Sequence, residues 1–208
     1  MKHIEQRLNL PADAPVMILP GASLFPSAMM PLYIFEERYR AMLAWCLEHC
    51  RMFCVAQMIP GFAGVVDGEA CYSVAGLGLV RACVGNEDGT SQLVLQGLAR
   101  VKLDHFLQRK PFPIAQISEL RSSVENTVEA DALALKVLEL CRSLRSKNGD
   151  LDRLLNHQNT TNANAEMISD FVAQAFVADP RLRQKFLDET RVCERLRMLI
   201  AALRQETP

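Results

Sequence analysis

Cys46, His49, Cys50 and Cys54 are the densest group of metal-ligating residue types in this 208-residue chain. Residues four apart share a helix face, so Cys46 and Cys50 could point the same way. Tetrahedral zinc, however, needs a closed set of converging ligands. Cys54 falls beyond the helix that would carry the first two. The thiols therefore read as small buried apolar groups, and no metal is expected. Asp104-His105 could supply half of a hydrolytic triad, in which a carboxylate orients a histidine base. Adjacent strand positions face opposite sides, so the two would not readily pair. Gly76-Leu-Gly78 lacks the third glycine of a dinucleotide fingerprint and sits in a strand candidate. No catalytic residue, cofactor or enzymatic activity is expected.

Apolar side chains give a more productive lead. Met29 and Met30 lie in an apolar loop, with Phe25 before them and Phe62 on another predicted loop. Flexible thioethers repack around varied apolar partners, as a promiscuous peptide-binding surface requires. Phe25, Met29, Met30 and Phe62 are thus candidate peptide-binding residues. The competing reading makes them core residues that close a barrel.

The elements that must position these residues begin with a run from Ala14 to Phe35 that contains no charge. A run of that length would suit a membrane span. Pro15, Pro20, Pro26 and Pro31 recur through it, and each lacks an N–H and clashes with the preceding helical turn. The stretch is driven to extended structure. Val16–Leu19 and Pro31–Phe35 read as short strands. In the latter, Leu32 and Ile34 share one face, Tyr33 and Phe35 the other. Apolar residues on both faces predict burial on both, or one face offered to a partner. A helix over about 36–51 follows, with Glu36 and Glu37 in its first turn and Glu36 facing Arg40 four residues on. Phe35, Tyr39, Met42, Cys46 and Cys50 form its apolar stripe.

Phe53–Ile59, Cys71–Val84, Gln92–Leu103 and Phe112–Ile117 read as further strands, and the alternation slips at Gly97 as a bulge would cause. After Ser118 the period becomes helical. Leu133, Val137, Leu140 and Leu144 form a stripe within 124–146, and residues 156–164 read as a polar loop. Helices follow over 167–177 and from Asp179-Pro180, where Asp caps and Pro takes the first position. A last helix is capped by Thr190. The expected fold class is α+β: a β-rich subdomain over 1–118, then a helical subdomain over 119–208.

Composition narrows the function classes. The net charge is −1, and neither half carries a basic excess, so a nucleic-acid partner is not expected. Seven cysteines without a Cys-x-x-Cys pair suit reduced thiols, and the start lacks a signal peptide's apolar core. A cytoplasmic protein without a membrane span is expected.

Leu24-Phe-Pro26 and Pro31-Leu-Tyr-Ile-Phe-Glu-Glu-Arg-Tyr-Arg40 resemble the N-terminal substrate-binding domain of the Lon protease family. Gly97-Leu-Ala-Arg100 is similar to its Gly-x-x-Arg, and Asp188–Leu196 to its closing segment. Tyr33 stands where histidine is usual, and Glu37 where proline is common. The resemblance implies a PUA-like pseudo-barrel followed by a helical bundle, one domain in all. It implies structural roles for Pro26, Pro31, Phe35, Glu36, Arg38, Tyr39, Gly97 and Arg100. The ATPase and serine–lysine peptidase parts of that family find no match here. Gly-x-x-x-x-Gly-Lys-Ser/Thr does not occur, and none of the six lysines sits in a dyad context. The expected function is that of a stand-alone, non-catalytic module binding unfolded or partly folded polypeptides. A protease or chaperone assembly is its expected docking partner, and self-association is a further expectation. An RNA-binding PUA-like module and a small-molecule enzyme are the alternatives.

Overall fold

The computed structural model describes residues 10–61, 70–144 and 164–205. Its elements are β1 (Asp13–Leu19), β2 (Met29–Ile34), α1 (Glu37–Glu48), β3 (Met52–Gln57), β4 (Val74–Gly85), β5 (Ser91–Gln108) and β6 (Ile114–Glu119). Four helices follow: α2 (Thr127–Leu144), α3 (Ala165–Phe176), α4 (Pro180–Asp188) and α5 (Val192–Gln205). The α+β expectation holds.

The strands run in the order β2-β5-β4-β3-β1-β6, and β6 returns to pair with β5. Five strands thereby close a barrel, with β2 attached outside it as an edge strand. β5 makes this arrangement work because its 18 residues serve two partners. Residues 91–96 pair with β2, and residues 101–108 pair with β6. β1 and β3 are parallel, so the chain must cross over between them, and β2 with α1 forms that crossover.

At β1 and β3 the barrel wall is buried on both sides. Val16, Ile18, Cys54 and Ala56 fill the lumen with Leu77, Val101, Leu103 and Ile117. The alternate residues Met17, Phe53 and Val55 pack outward against α1 and the C-terminal helices. A strand apolar on both faces has no place for charge. That accounts for the membrane-like character of the chain around β1. None of the described helices is long and apolar enough to cross a membrane.

Leu24 and Phe25 cross the sheet on a saddle of glycines. A β-carbon on Gly97 would overlap the Phe25 carbonyl oxygen, and one on Gly76 the Leu24 carbonyl oxygen. Gly97 accepts a hydrogen bond from the Ser27 N–H at 2.9 Å and donates its own N–H to the Ala28 carbonyl at 2.8 Å. The register shifts by one here, Leu77 facing Ala99 and Gly78 facing Gly97. This is the bulge that the alternation predicted. Tyr39, in the first turn of α1, donates to the Ile18 carbonyl at 2.8 Å and accepts from the Ile18 N–H at 3.2 Å. Both backbone groups of a buried strand residue are satisfied by one phenol, and burial pushes its pKa up.

The barrel and the helices meet in a buried ionic network. Arg100 on β5 grips Asp170 on α3 with both terminal nitrogens, one at 2.8 Å, and its Nε donates to the Leu187 carbonyl at 3.2 Å. Arg195 on α5 lies 3.7 Å from the same carboxylate. It also donates to Ser169 Oγ at 3.2 Å, Ser122 Oγ at 3.0 Å and the Glu189 carbonyl at 3.1 Å. Burial lowers the Arg195 pKa to about 10.

Several boundaries differ from the sequence expectations. Glu36 occupies the N-cap position of α1 in extended conformation instead of its first turn, and it pairs with Arg38 at 2.6 Å and not with Arg40. Asp179 caps α4 as expected, accepting from the Leu182 N–H at 2.9 Å. Thr190 stands two residues ahead of α5, which begins at Val192. Of the polar stretch 156–164 only Asn164 lies among the described residues, where it caps α3.

Asp170→Asn should cost about 3–5 kcal/mol, because it leaves two buried guanidinium groups without their shared carboxylate. Urea unfolding reads this as a lowered midpoint at unchanged slope.

Candidate functional site

β2 is half-buried in strict alternation. Met30, Leu32 and Ile34 turn inward, while Met29, Pro31, Tyr33 and Phe35 face solvent. Its partners extend the outer face. Tyr33 lies opposite Gln92, which lies opposite Val84; Pro31 lies opposite Val94, which lies opposite Ala82. Cross-strand neighbours on one face stand close enough to touch. Two uncharged rows therefore run side by side across β2, β5 and β4, apolar except at Gln92.

Exposure along these rows is high for such side chains: Met29 53%, Tyr33 54%, Phe35 60% and Val84 66%. The Tyr33 and Phe35 rings stack with centroids 5.8 Å apart. A groove of about 480 Å³ lies along the rows, lined by Pro31, Tyr33, Ala82, Val84, Gln92 and Val94. None of these residues is charged. Exposed apolar side chains grouped in this way make the face the candidate site of the molecule.

The sequence-predicted residues divide around this face. Met29 belongs to it. Met30, on the same strand, turns to the core and is half-buried. Phe25 is fully buried, with the Arg100 and Arg183 guanidinium groups 5.9 and 5.8 Å from its ring centre. It cannot meet a partner without opening the core. Phe62 lies outside the described residues. Of the motif residues, Tyr39, Gly97 and Arg100 act structurally as described above, and Pro26 is half-buried beside the glycine saddle. Phe35 does not seal the β-subdomain with Tyr39, Met42 and Cys46; it points into solvent. Tyr33, Val84, Val94 and Ala82 join the face although the sequence alone does not single them out as binding residues. The sequence signal was present for Tyr33, which shares a strand face with Phe35.

The reactive residue types are dispersed. Cys46 belongs to the core outside the barrel and Cys54 to the lumen, so β3 separates them. Burial pushes the Cys46 thiol up to about 12, far from the thiolate that a metal requires. His49 is occupied at its Nδ1 by the Trp45 carbonyl at 2.7 Å, with its ring stacked on Trp45. Asp104 accepts from Ser118 Oγ at 3.3 Å.

Residues 13–205 match the family described as the ATP-dependent protease La (LON) substrate-binding domain. The chain is 23% identical over 207 residues to a Lon protease of Dictyoglomus thermophilum, covering 99% of this chain and 26% of that protein. A Lon protease of Roseiflexus castenholzii is 24% identical over 201 residues, covering 95% and 25%. The chain thus spans about a quarter of the length of these curated relatives. Among solved structures, the N-terminal domain of Mycobacterium avium complex Lon protease matches with a TM-score of 0.73 at 15% identity, over 92% of this chain and 98% of that one. A Lon N-terminal domain protein from Xanthomonas campestris matches with a TM-score of 0.65 at 19% identity, over 91% and 97%. At these identities the structures share the fold.

Core and face should separate on substitution. Phe25→Ala should cost about 3–5 kcal/mol, the range for a buried aromatic. Tyr33→Ser and Phe35→Ser should each stay within about 0.5–1 kcal/mol of the parent, since both rings already face water. Chemical denaturation of the three variants checks the contrast.

Proposed function

This chain belongs to the LON substrate-binding domain family, and we propose that it binds extended apolar segments of unfolded or partly folded polypeptides through the outer face of β2, β5 and β4. The observation that carries this reading is the solvent-facing series Met29, Pro31, Tyr33 and Phe35 along an edge strand. An extended segment presents alternate side chains to one side, with the spacing of a strand. Laid along β2, it would set every second side chain against Met29, Pro31, Tyr33 or Phe35.

Each large side chain removed from water contributes about 1.5–3 kcal/mol, set against the ordering of a flexible chain. A few such anchors give reversible binding with little sequence preference. The absence of charge among the groove residues leaves a phosphate backbone without partners there, which disfavours the RNA-binding alternative. In this reading the domain holds a client and contributes no reacting group of its own. A protease or chaperone assembly is the partner to which a held client would pass, and a second copy of the chain is a competing occupant of the same face.

Fluorescence anisotropy with a labelled, reduced and carboxymethylated protein that cannot fold tests the proposal. The Tyr33→Ser/Phe35→Ser double variant should bind at least tenfold more weakly while keeping the parental circular dichroism. Unchanged affinity in the double variant, or no binding by the parent, would remove the face from consideration. A parent that sediments as a dimer, with a double variant that sediments as a monomer, would identify self-association instead.

A further inference from the structure

We propose that Cys46 and Cys50 are a modification site, a dithiol that a small-molecule disulfide converts to an intramolecular Cys46–Cys50 bond. The two thiols converge on one atom: Cys46 Sγ donates to the Met52 carbonyl oxygen at 3.6 Å and Cys50 Sγ to the same oxygen at 3.8 Å. The backbone holds them there. The His49 N–H and the Arg51 N–H, on either side of Cys50, both donate to the Cys46 carbonyl, at 3.2 and 2.8 Å. Arg51 takes a left-handed conformation with φ of 57°, which folds the chain back after α1. Cys50 is thereby pinned over the last turn of the helix that carries Cys46. The pair lies at the end of α1 opposite to Phe35 and is separate from the apolar face.

Access differs between the two. Cys50 is half-exposed and Cys46 buried, so Cys50 meets the reagent first. The Cys50 sulfur, as thiolate, attacks one sulfur of the reagent disulfide and releases one reagent thiol, leaving a mixed disulfide on Cys50. Cys46, which burial holds protonated and which must first lose its proton to water, then attacks the Cys50 sulfur as thiolate, breaks the mixed disulfide and releases the second reagent thiol. The two cysteine protons end on the two released thiols, and the two electrons lost by the pair reduce the reagent disulfide. The turn also bears on the sheet. The Val80 N–H donates to the Arg51 carbonyl at 2.8 Å, and Val80 begins the register shift that leads to Ala82.

The test is incubation of the native protein with glutathione disulfide, followed by thiol titration and peptide mapping by mass spectrometry. Expected are the loss of two thiols per chain, a linked Cys46–Cys50 peptide, and recovery of both thiols with reductant. Cys46→Ala should instead stop at a glutathione adduct on Cys50, and Cys50→Ser should leave Cys46 unmodified. In the parent protein, a persistent glutathione adduct on Cys50, a link to any other cysteine, or an unreacted pair overturns the proposal. The parental map alone decides the matter if a variant fails to fold. Polypeptide binding plays no part in the readout.

Discussion

Arg100, Asp170 and Arg195 form the constraint on which the rest of the molecule depends. Arg100 stands on β5, the strand shared by both parts of the sheet, and its guanidinium plane fits the Asp170 carboxylate edge to edge. Arg195 reaches the same group and also takes up the carbonyl at Glu189 and the Ser122 hydroxyl, so the link between β6 and α2 and the end of α4 are tied to one point. A buried charge set of this kind is weak evidence for net stability, because desolvation offsets much of the attraction. Its value is geometric. Apolar packing alone would tolerate the helices at several rotations against the barrel, whereas a bidentate pair tolerates one.

The same arginine explains why the Leu-Phe-Pro element is where it is. The Arg100 and Arg183 guanidinium groups lie 5.9 and 5.8 Å from the Phe25 ring centre, and Gly97, three residues before Arg100, makes room for the Phe25 backbone. The glycine and the arginine of Gly97-Leu-Ala-Arg100 therefore act on one segment from two directions. The glycine removes a side chain so that the backbone can approach, and the arginine fixes what has approached. α1 is tied down in a similar manner by the Tyr39 hydroxyl on Ile18.

Much of this was legible in the sequence. Strand positions followed from alternation and turn residues, the bulge at Gly97 from a slip in that alternation, and the α4 start from Asp179-Pro180. What could not be read was the side of each element that faces water. Phe25 and Phe35 are the same residue type in one uncharged stretch, yet Phe25 is enclosed by two arginines far away in sequence and Phe35 is exposed. Their difference is set by α3, α4 and β5, none of which is local to them. Met29 and Met30 show the limit most sharply: neighbours on a strand must face opposite ways, and only the sheet decides which one is outside. Thr190 satisfies a capping rule, but the chain between α4 and α5 is held by Arg191 and Ser123, so the helix begins later.

Pro31 lies in the middle of β2, whose outer edge has no strand partner among the described residues. An apolar edge strand with a complete row of donors invites other chains to add themselves indefinitely, the first step of fibril growth. Proline has no N–H to give, so the row is broken at its centre. A visiting segment can rest its side chains on the face but cannot continue the backbone ladder without interruption. β2 thereby exposes apolar side chains to water without offering an unbroken backbone template on which further chains could stack.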